Sequence, residues 1–134
     1  MSGIIVPVLN KQIFEFSFLG TGADQDVVLH PAIDVGAWFR VRLVVRVHQI
    51  TATSGNFTFK LQHTLPSDED RQEFVDTSAD FLTTGNITSA SPNIKTISGT
   101  DPQAYLKLVL RAHQVTAGNT LYGEFSAVLV LRDV

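Results

Sequence analysis

Apolar and polar residues alternate along a stretch near the middle of the chain. From Phe39 to Val47 every odd position is apolar, whereas Arg40, Arg42, Arg46 and His48 occupy even positions. A period of two is typical of a β-strand that turns one face to the core and the other to water or a partner. We therefore predict a long strand here, with the arginines on its outer face.

This stretch occurs twice. Residues 41–52 and 106–117 share seven identities at a spacing of 65 positions, and the second copy alternates in the same phase. Each copy is followed by turn residues and by another strand-like stretch, at 57–62 and at 121–132. A repeat of this length indicates a duplicated structural unit. We predict two similar hairpins that pack together in one sandwich.

The remaining segments also have the pattern of strands. Residues 13–19 place Phe14, Phe16 and Phe18 on one face, and shorter strand candidates follow between turn residues. No segment sustains the 3.6-residue periodicity of a helix. We predict an all-β, single-domain, jelly-roll-like antiparallel β-sandwich of about eight strands with two sequence-related hairpins. A chain of 134 residues suffices for such a core without disulfides or metals.

The N-terminal segment is expected to form an arm. Residues 1–11 are short and interrupted by Pro7, so we divide the chain into an arm at 1–11 and a β-sandwich domain at 12–134. The apolar residues of the arm are Ile4, Ile5, Val6, Val8 and Leu9. Two interpretations are open: an edge strand on the domain's own sheet, or an arm that docks on a neighbouring subunit.

Composition excludes several classes of function. The chain has no cysteine, which removes thiol nucleophiles and thiolate metal sites. Its net charge of −3 argues against nucleic acid as the main partner. No apolar run is long enough to span a membrane, and the N-terminus lacks the basic start and apolar run of a signal peptide.

The search for reactive groups predicts no catalytic residue, no cofactor and no metal, and hence not an enzyme. His48 and His113 are related by the repeat, and a repeated hydrogen-bonding role is weighed against a metal site that lacks a third ligand. The acidic run at 67–70 is interpreted as a solvated turn, with a calcium loop as the alternative. We find no nucleophile elbow and no phosphate-binding glycine loop.

The basic residues of the two repeat strands are the most suggestive polar feature. They are Arg40, Arg42 and Arg46 in the first copy and Lys107 and Arg111 in the second. If both strands lie in one sheet, these side chains form a joint positive patch. Such a patch either protects an exposed sheet from aggregation or meets an acidic protein surface.

These strands resemble phage head decoration proteins, also called cement proteins. The resemblance covers roughly residues 35–134 and rests on 43–55, 59–63, the acidic loop at 67–70, 105–111 and the closing strand to Arg132. It implies a jelly roll that binds the major capsid protein on the outer capsid surface as a homodimer or homotrimer. The protein is then expected to be synthesised in the host cytoplasm and incorporated in the virion. The residues expected to bind the capsid or another copy are Ile4, Ile5, Val6, Val8, Arg40, Arg42, Arg46, Lys107 and Arg111.

Two other functions remain open. One is a phage tail or head–tail structural component, because such proteins share the same strand–turn–strand style. The other is a carbohydrate-binding β-sandwich, in which aromatic side chains stack on sugar rings. The candidates for that role are Trp38, Tyr105 and Tyr122.

Overall fold

The computed structural model describes residues 3–17, 23–51, 55–63, 79–100, 102, 105–114 and 120–133. These ranges contain eight strands: β1 (Gly3–Ser17), β2 (Ala23–Asp34), β3 (Arg40–Thr51), β4 (Gly55–His63), β5 (Ala79–Thr83), β6 (Ile94–Thr100), β7 (Tyr105–Gln114) and β8 (Thr120–Arg132). The all-β prediction is confirmed. In the same ranges, no helix is long and apolar enough to cross a membrane. The acidic run at 67–70 and Phe18 lie outside the described residues.

The strands form two four-stranded antiparallel sheets. Sheet A has the order β1-β8-β3-β6, and sheet B has the order β2-β7-β4-β5. Apart from β4 and β5, which are neighbours in sheet B, each strand is followed along the chain by a strand of the other sheet. This two-sheet arrangement of eight strands is a jelly roll, so the predicted fold class is confirmed.

The repeat strands correct one detail of that prediction. We expected β3 to form a hairpin with β4, and β7 with β8. Instead β3 pairs with β8 in sheet A, and β4 pairs with β7 in sheet B. Both strands of each unit have one apolar face, and crossing to the opposite sheet buries the two faces against each other across the core. The sequence pattern alone does not distinguish this crossing from a hairpin.

Each copy of the repeat strand has a neighbour on both sides, and one of these neighbours is the second strand of the other unit. Val45 of β3 lies opposite Ala127 of β8. The equivalent residue of the second copy, Leu110 of β7, lies opposite Phe59 of β4. The two copies of the repeat strand are therefore central strands of opposite sheets.

The predicted arm is part of sheet A. β1 is one strand that pairs with β8 along its length, as in the edge-strand interpretation. The expected boundary after residue 11 coincides with an irregularity of this pairing, where the register shifts between Leu9 and Gln12 and Lys11 adopts a φ of 49°. A positive φ in a bulge bends the strand without ending it. Docking of this segment on a second subunit stays a prediction.

The core lies between the sheets and contains a cluster of phenylalanines at its centre. The ring of Phe125 lies 5.3 Å from Phe57 and 5.1 Å from Phe59, both in edge-to-face geometry. Phe14 and Phe16 of β1 complete the cluster, as their shared face predicts. The alternation of β3 is confirmed from Val41 onward, but Phe39 precedes the strand and is 47% exposed.

Candidate functional site

The structure places the predicted basic residues on two opposite faces. Arg40, Arg42 and Arg46 lie on β3 in sheet A, whereas Lys107 and Arg111 lie on β7 in sheet B. A joint patch was expected only if both repeat strands lay in one sheet, and this condition is not met. The two repeat copies lie in different sheets, which turns their outer faces in opposite directions.

The apolar residues predicted at the N-terminus divide in a similar way. Val6 and Val8 pack against the domain's own core. Ile4 and Ile5 are 46% and 66% exposed. Ile5 lies opposite Val130 of β8, on the outer side of sheet A. Of the four apolar residues predicted to bind a partner here, Ile5 is the most exposed.

Ile5 belongs to a continuous surface on the outer side of sheet A. Cross-strand partners in an antiparallel sheet point to the same side, and the registers of β1, β8, β3 and β6 therefore align their outward residues in rows. Arg40, Arg42 and Arg132 lie at one end of this surface and Arg46 at the other, with the pair of Val44 and Val128 between them. We call this surface the sheet A face; it consists of Ile5, Arg40, Arg42, Val44, Arg46, Ile94, Thr96, Ser98, Thr100, Val128, Val130 and Arg132.

The arginines of the sheet A face have no carboxylate partner within the part of the chain that the structure describes. None of Arg40, Arg42, Arg46 and Arg132 takes part in an ion pair between described residues. Arg40 and Arg132 also lie directly opposite each other on β3 and β8. Like charges in that position destabilise a sheet. Within the described residues, the positive charges of these four arginines are not compensated by an ion pair.

Sheet B differs, because its cations are paired. The guanidinium of Arg111 donates from Nε to Asp26 Oδ1 at 2.8 Å and from Nη2 to Asp26 Oδ2 at 3.0 Å. Lys60 Nζ lies 3.5 Å from Asp80 Oδ2. Arg111, Lys60, Asp24 and Asp80 line a groove of about 420 Å³ in which opposite charges lie close together.

The pairing also shifts the protonation equilibria on sheet B. The hydrogen bonds from Arg111 lower the pKa of Asp26, and the same contact raises the pKa of the Arg111 guanidinium. The side-chain hydrogen bond from Gln62 lowers the pKa of Asp80, and the charge of Lys60 adds to this effect. Both carboxylates are thus held in their charged form beside a cation.

The two repeat histidines both form hydrogen bonds, but on opposite faces. His48 Nε2 lies 2.8 Å from Ser126 Oγ, and that oxygen also accepts a bond of 2.9 Å from the backbone N–H of Lys11 at the β1 bulge. His113 Nδ1 lies 2.5 Å from Asp24 Oδ1. Two histidines on different sheets cannot share a metal ion. Among the described residues, no group of three metal-binding side chains is found.

The aromatic residues proposed for sugar binding do not form one platform. Trp38 is partly buried and packs against the core. Tyr105 is on β7 in sheet B, and Tyr122 is on β8 in sheet A. Stacking of a sugar between any two of them is therefore not supported by their placement.

Sequence reasoning missed the residues that β6 and the end of β8 contribute to the sheet A face. Arg132 continues the alternation of β8 and lies outward, and Ser98 and Thr100 alternate in the same way on β6. The alternation of residue types along these strands was enough to predict that the three side chains point outward. Their position beside Arg40 and Arg42 could not be predicted in this way, because it depends on which strands pair.

Comparison with solved structures shows the fold. No protein-family model and no curated protein sequence matches the chain. The chain is similar to VP2 in a subviral particle of infectious bursal disease virus, with a TM-score of 0.61 and 11% identity over 97% of this chain and 32% of VP2. For VP2 in the structure of the Gx strain of that virus, the TM-score is 0.60 and the identity 11%, again over 97% of this chain and 32% of VP2. A xylanase domain named CBM36-1, from the hindgut metagenome of Trinervitermes trinervoides, gives 0.44 and 8% over 96% of each chain.

The chain spans about a third of the length of the VP2 chains it matches. At these identities the similarity concerns the fold, since one jelly roll serves many functions. The TM-score of the xylanase domain is too low to support any conclusion about this chain.

Proposed function

We propose that this domain is a structural protein of a virus particle and binds the protein shell of that particle through the sheet A face. The observation that carries the proposal is the contrast between the two outer faces. Sheet B pairs Arg111 and Lys60 with its own aspartates, whereas the four arginines of sheet A have no such partner among the described residues. A face with uncompensated arginines and exposed aliphatic residues fits an acidic protein surface.

The two kinds of residue on the sheet A face contribute differently. Exposed aliphatic side chains such as Ile5 and Ile94 supply apolar area, whose burial drives association. The arginines around them complement acidic groups, which sets the register of docking and accelerates encounter. Arginine is also favoured at interfaces because its planar group binds carboxylates through two hydrogen bonds.

More specifically, we propose that the domain is a decoration protein, also called a cement protein. In this form the partner is the major capsid protein, and the site is the outer surface of the capsid. The protein is synthesised in the host cytoplasm and binds as a homodimer or homotrimer. Several weak contacts in one oligomer then add up to tight binding, because the second contact forms at a high effective concentration. The fold shared with VP2 of a subviral particle is compatible with this role.

The proposal is tested by cosedimentation with shells assembled from the major capsid protein of the same virus. The variant Arg42→Gln/Arg46→Gln removes two charges from the sheet A face. We expect it to weaken binding at low salt by at least about tenfold, because each charge-assisted hydrogen bond contributes on the order of 1.5 kcal/mol. Raising the salt concentration should weaken wild-type binding and reduce the difference between the two proteins.

A matched control changes the net charge equally on the opposite face. In Thr58→Glu/Thr83→Glu, the new carboxylates lie opposite Arg111 and Lys60, where they are tolerated electrostatically. This control should bind shells like the wild type. Equal loss of binding in both variants, or salt-independent binding, would count against the sheet A face.

The aliphatic part of the face needs its own variant. Removal of residues 1–11 also removes part of β1, so Ile5→Gln is the sharper change because it leaves the strand in place. We expect weaker shell binding with unchanged thermal stability. Unchanged binding would exclude the N-terminal segment from the contact.

The copy number in purified particles distinguishes the locations. Quantitative mass spectrometry that finds hundreds of copies, in a simple ratio to the major capsid protein, supports a decoration protein. A handful of copies instead indicates a tail or head–tail component. Absence from the particle refutes the virion proposal.

A further inference from the structure

Three arginines line one cavity at the end of sheet A where β3 begins and β8 ends. The cavity has a volume of about 280 Å³, and its polar lining is formed by Arg40, Arg42, Arg132, Ser98 and Thr100. We call it the arginine pocket. Its side chains come from three strands, so it is built by the fold and not by one flexible loop.

Strand pairing holds the arginines together. Arg40 lies between Arg132 of β8 and Thr100 of β6, and Arg42 follows two residues later on the same face. The backbone N–H of Phe39 donates to the carbonyl oxygen of Arg132 at 2.8 Å, which extends the contact between these strands beyond β3. The sheet therefore holds the backbone positions of these arginines side by side at the mouth of one cavity.

The hydroxyl side of the pocket is fixed by β6. A Cβ atom on Gly99 would lie 3.1 Å from Leu82 Cδ2 and 3.2 Å from Phe81 Cζ. The backbone of β6 is thus pressed against the side chains of β5 on its inner side. Ser98 and Thr100, the neighbours of Gly99, are exposed on the other side and can donate hydrogen bonds into the pocket.

We infer that the arginine pocket binds a tetrahedral oxyanion, a phosphate or sulfate group, either free or as an ester of a larger molecule. A dianion offsets more of the charge of three guanidinium groups than a single carboxylate does. Its several oxygens also accept more of the available N–H and O–H donors. This inference goes beyond shell binding, since it concerns a small ligand of the isolated domain.

The test is a titration of the isolated domain with sodium phosphate and sodium sulfate, followed in ¹H–¹⁵N NMR spectra at constant ionic strength. We expect saturable shifts of the backbone amide signals of Ser98, Gly99 and Thr100. Arg42→Gln and Arg132→Gln should each raise the Kd by about tenfold or more. Sodium acetate at the same ionic strength should bind more weakly than either dianion.

Arg46→Gln is the matched control. Arg46 lies on the same strand and the same face as Arg42 but lines a different cavity, with Val44, Ile94 and Val128. It should bind the anions like the wild type. Equal weakening in Arg46→Gln, equal binding of acetate, or shifts that do not saturate would overturn the inference.

The source of the group is distinguished by comparing inorganic phosphate with phenyl phosphate. Tighter binding of the ester points to an esterified ligand, and binding of the inorganic ion alone points to a free anion. Because no shell is present, failure of this titration overturns the pocket and leaves the proposed function standing. Failure of the cosedimentation assay would instead refute the proposed shell binding and leave the arginine pocket standing.

Discussion

Replacement of Gly123 by alanine is expected to destabilise the domain strongly, because the phenylalanine cluster occupies the space of the new methyl group. A Cβ atom at this position would lie 2.5 Å from Cε2 and 2.6 Å from Cζ of Phe125. Optimal carbon–carbon contacts are about 3.5–4.0 Å, so the Phe125 ring has to move by about 1 Å. Overpacking of this kind costs about 1–3 kcal/mol. The displaced ring also loses part of its edge-to-face contacts with Phe57 and Phe59, at about 0.5–1.5 kcal/mol per pair.

We therefore expect Gly123→Ala to lower the free energy of unfolding by about 2–4 kcal/mol. Urea denaturation at 25 °C, followed by tryptophan fluorescence and circular dichroism, measures this difference. Gly85→Ala is the matched control, because nothing lies within 4 Å of its new Cβ atom. That change should be neutral or slightly stabilising. If both variants unfold within about 0.5 kcal/mol of the wild type, the packing argument around Phe125 is refuted.

Three further predictions concern stability. Asp26→Asn should cost about 0.5 kcal/mol at pH 7, since its bond to Arg111 is partly exposed. The pKa of Asp26 in the folded protein is lower than its unfolded value of about 3.9. The stabilisation is therefore present above the unfolded value and is lost as the pH falls through the folded pKa. Urea unfolding of both proteins across that range should show that the difference between their free energies of unfolding disappears. Thr84→Val should cost about 1–3 kcal/mol, measured in the same way, because the N–H of Phe59 loses its bond of 3.0 Å to Thr84 Oγ1 in a buried position; an unchanged midpoint would contradict this. Removal of residues 1–11 should lower the melting temperature and promote self-association on size-exclusion chromatography, because it exposes the edge of β8; a stable monomer would contradict it.

The strands and the core could be predicted because their signal is local. The apolar residues at 41, 43, 45 and 47 are separated by Arg42, Val44 and Arg46, and the four side chains at the odd positions are all buried. The same holds for Leu106, Leu108 and Leu110 in the second copy. Period two thus predicts the core-facing side of each strand without knowledge of distant residues, although in β7 Lys107 and Val109 on the other side are buried as well.

The partners of each strand could not be predicted because they depend on long-range contacts. The sequence 41–62 is compatible with a hairpin and with a crossing between sheets, and only the global packing decides between them. This choice moved Lys107 and Arg111 away from Arg42. It also brought Arg132 beside Arg40, from more than 90 positions away. The sequence therefore predicted the basic residues of the candidate site but not the surface they form.

Comparison of the repeat copies explains how one strand pattern produces two different faces. Arg46 and Arg111 are equivalent, yet Arg46 lies between Ser126 and Ile94, whereas Arg111 lies between Asp26 and Thr58. The difference is thus located in the neighbouring strands and not in the repeat itself. Because β2 supplies carboxylates to sheet B, the basic strand there is neutralised within the domain. On sheet A the cross-strand neighbours of Arg46 and Arg42 are hydroxyl and aliphatic residues, so in the described strands the same basic pattern has no carboxylate directly beside it.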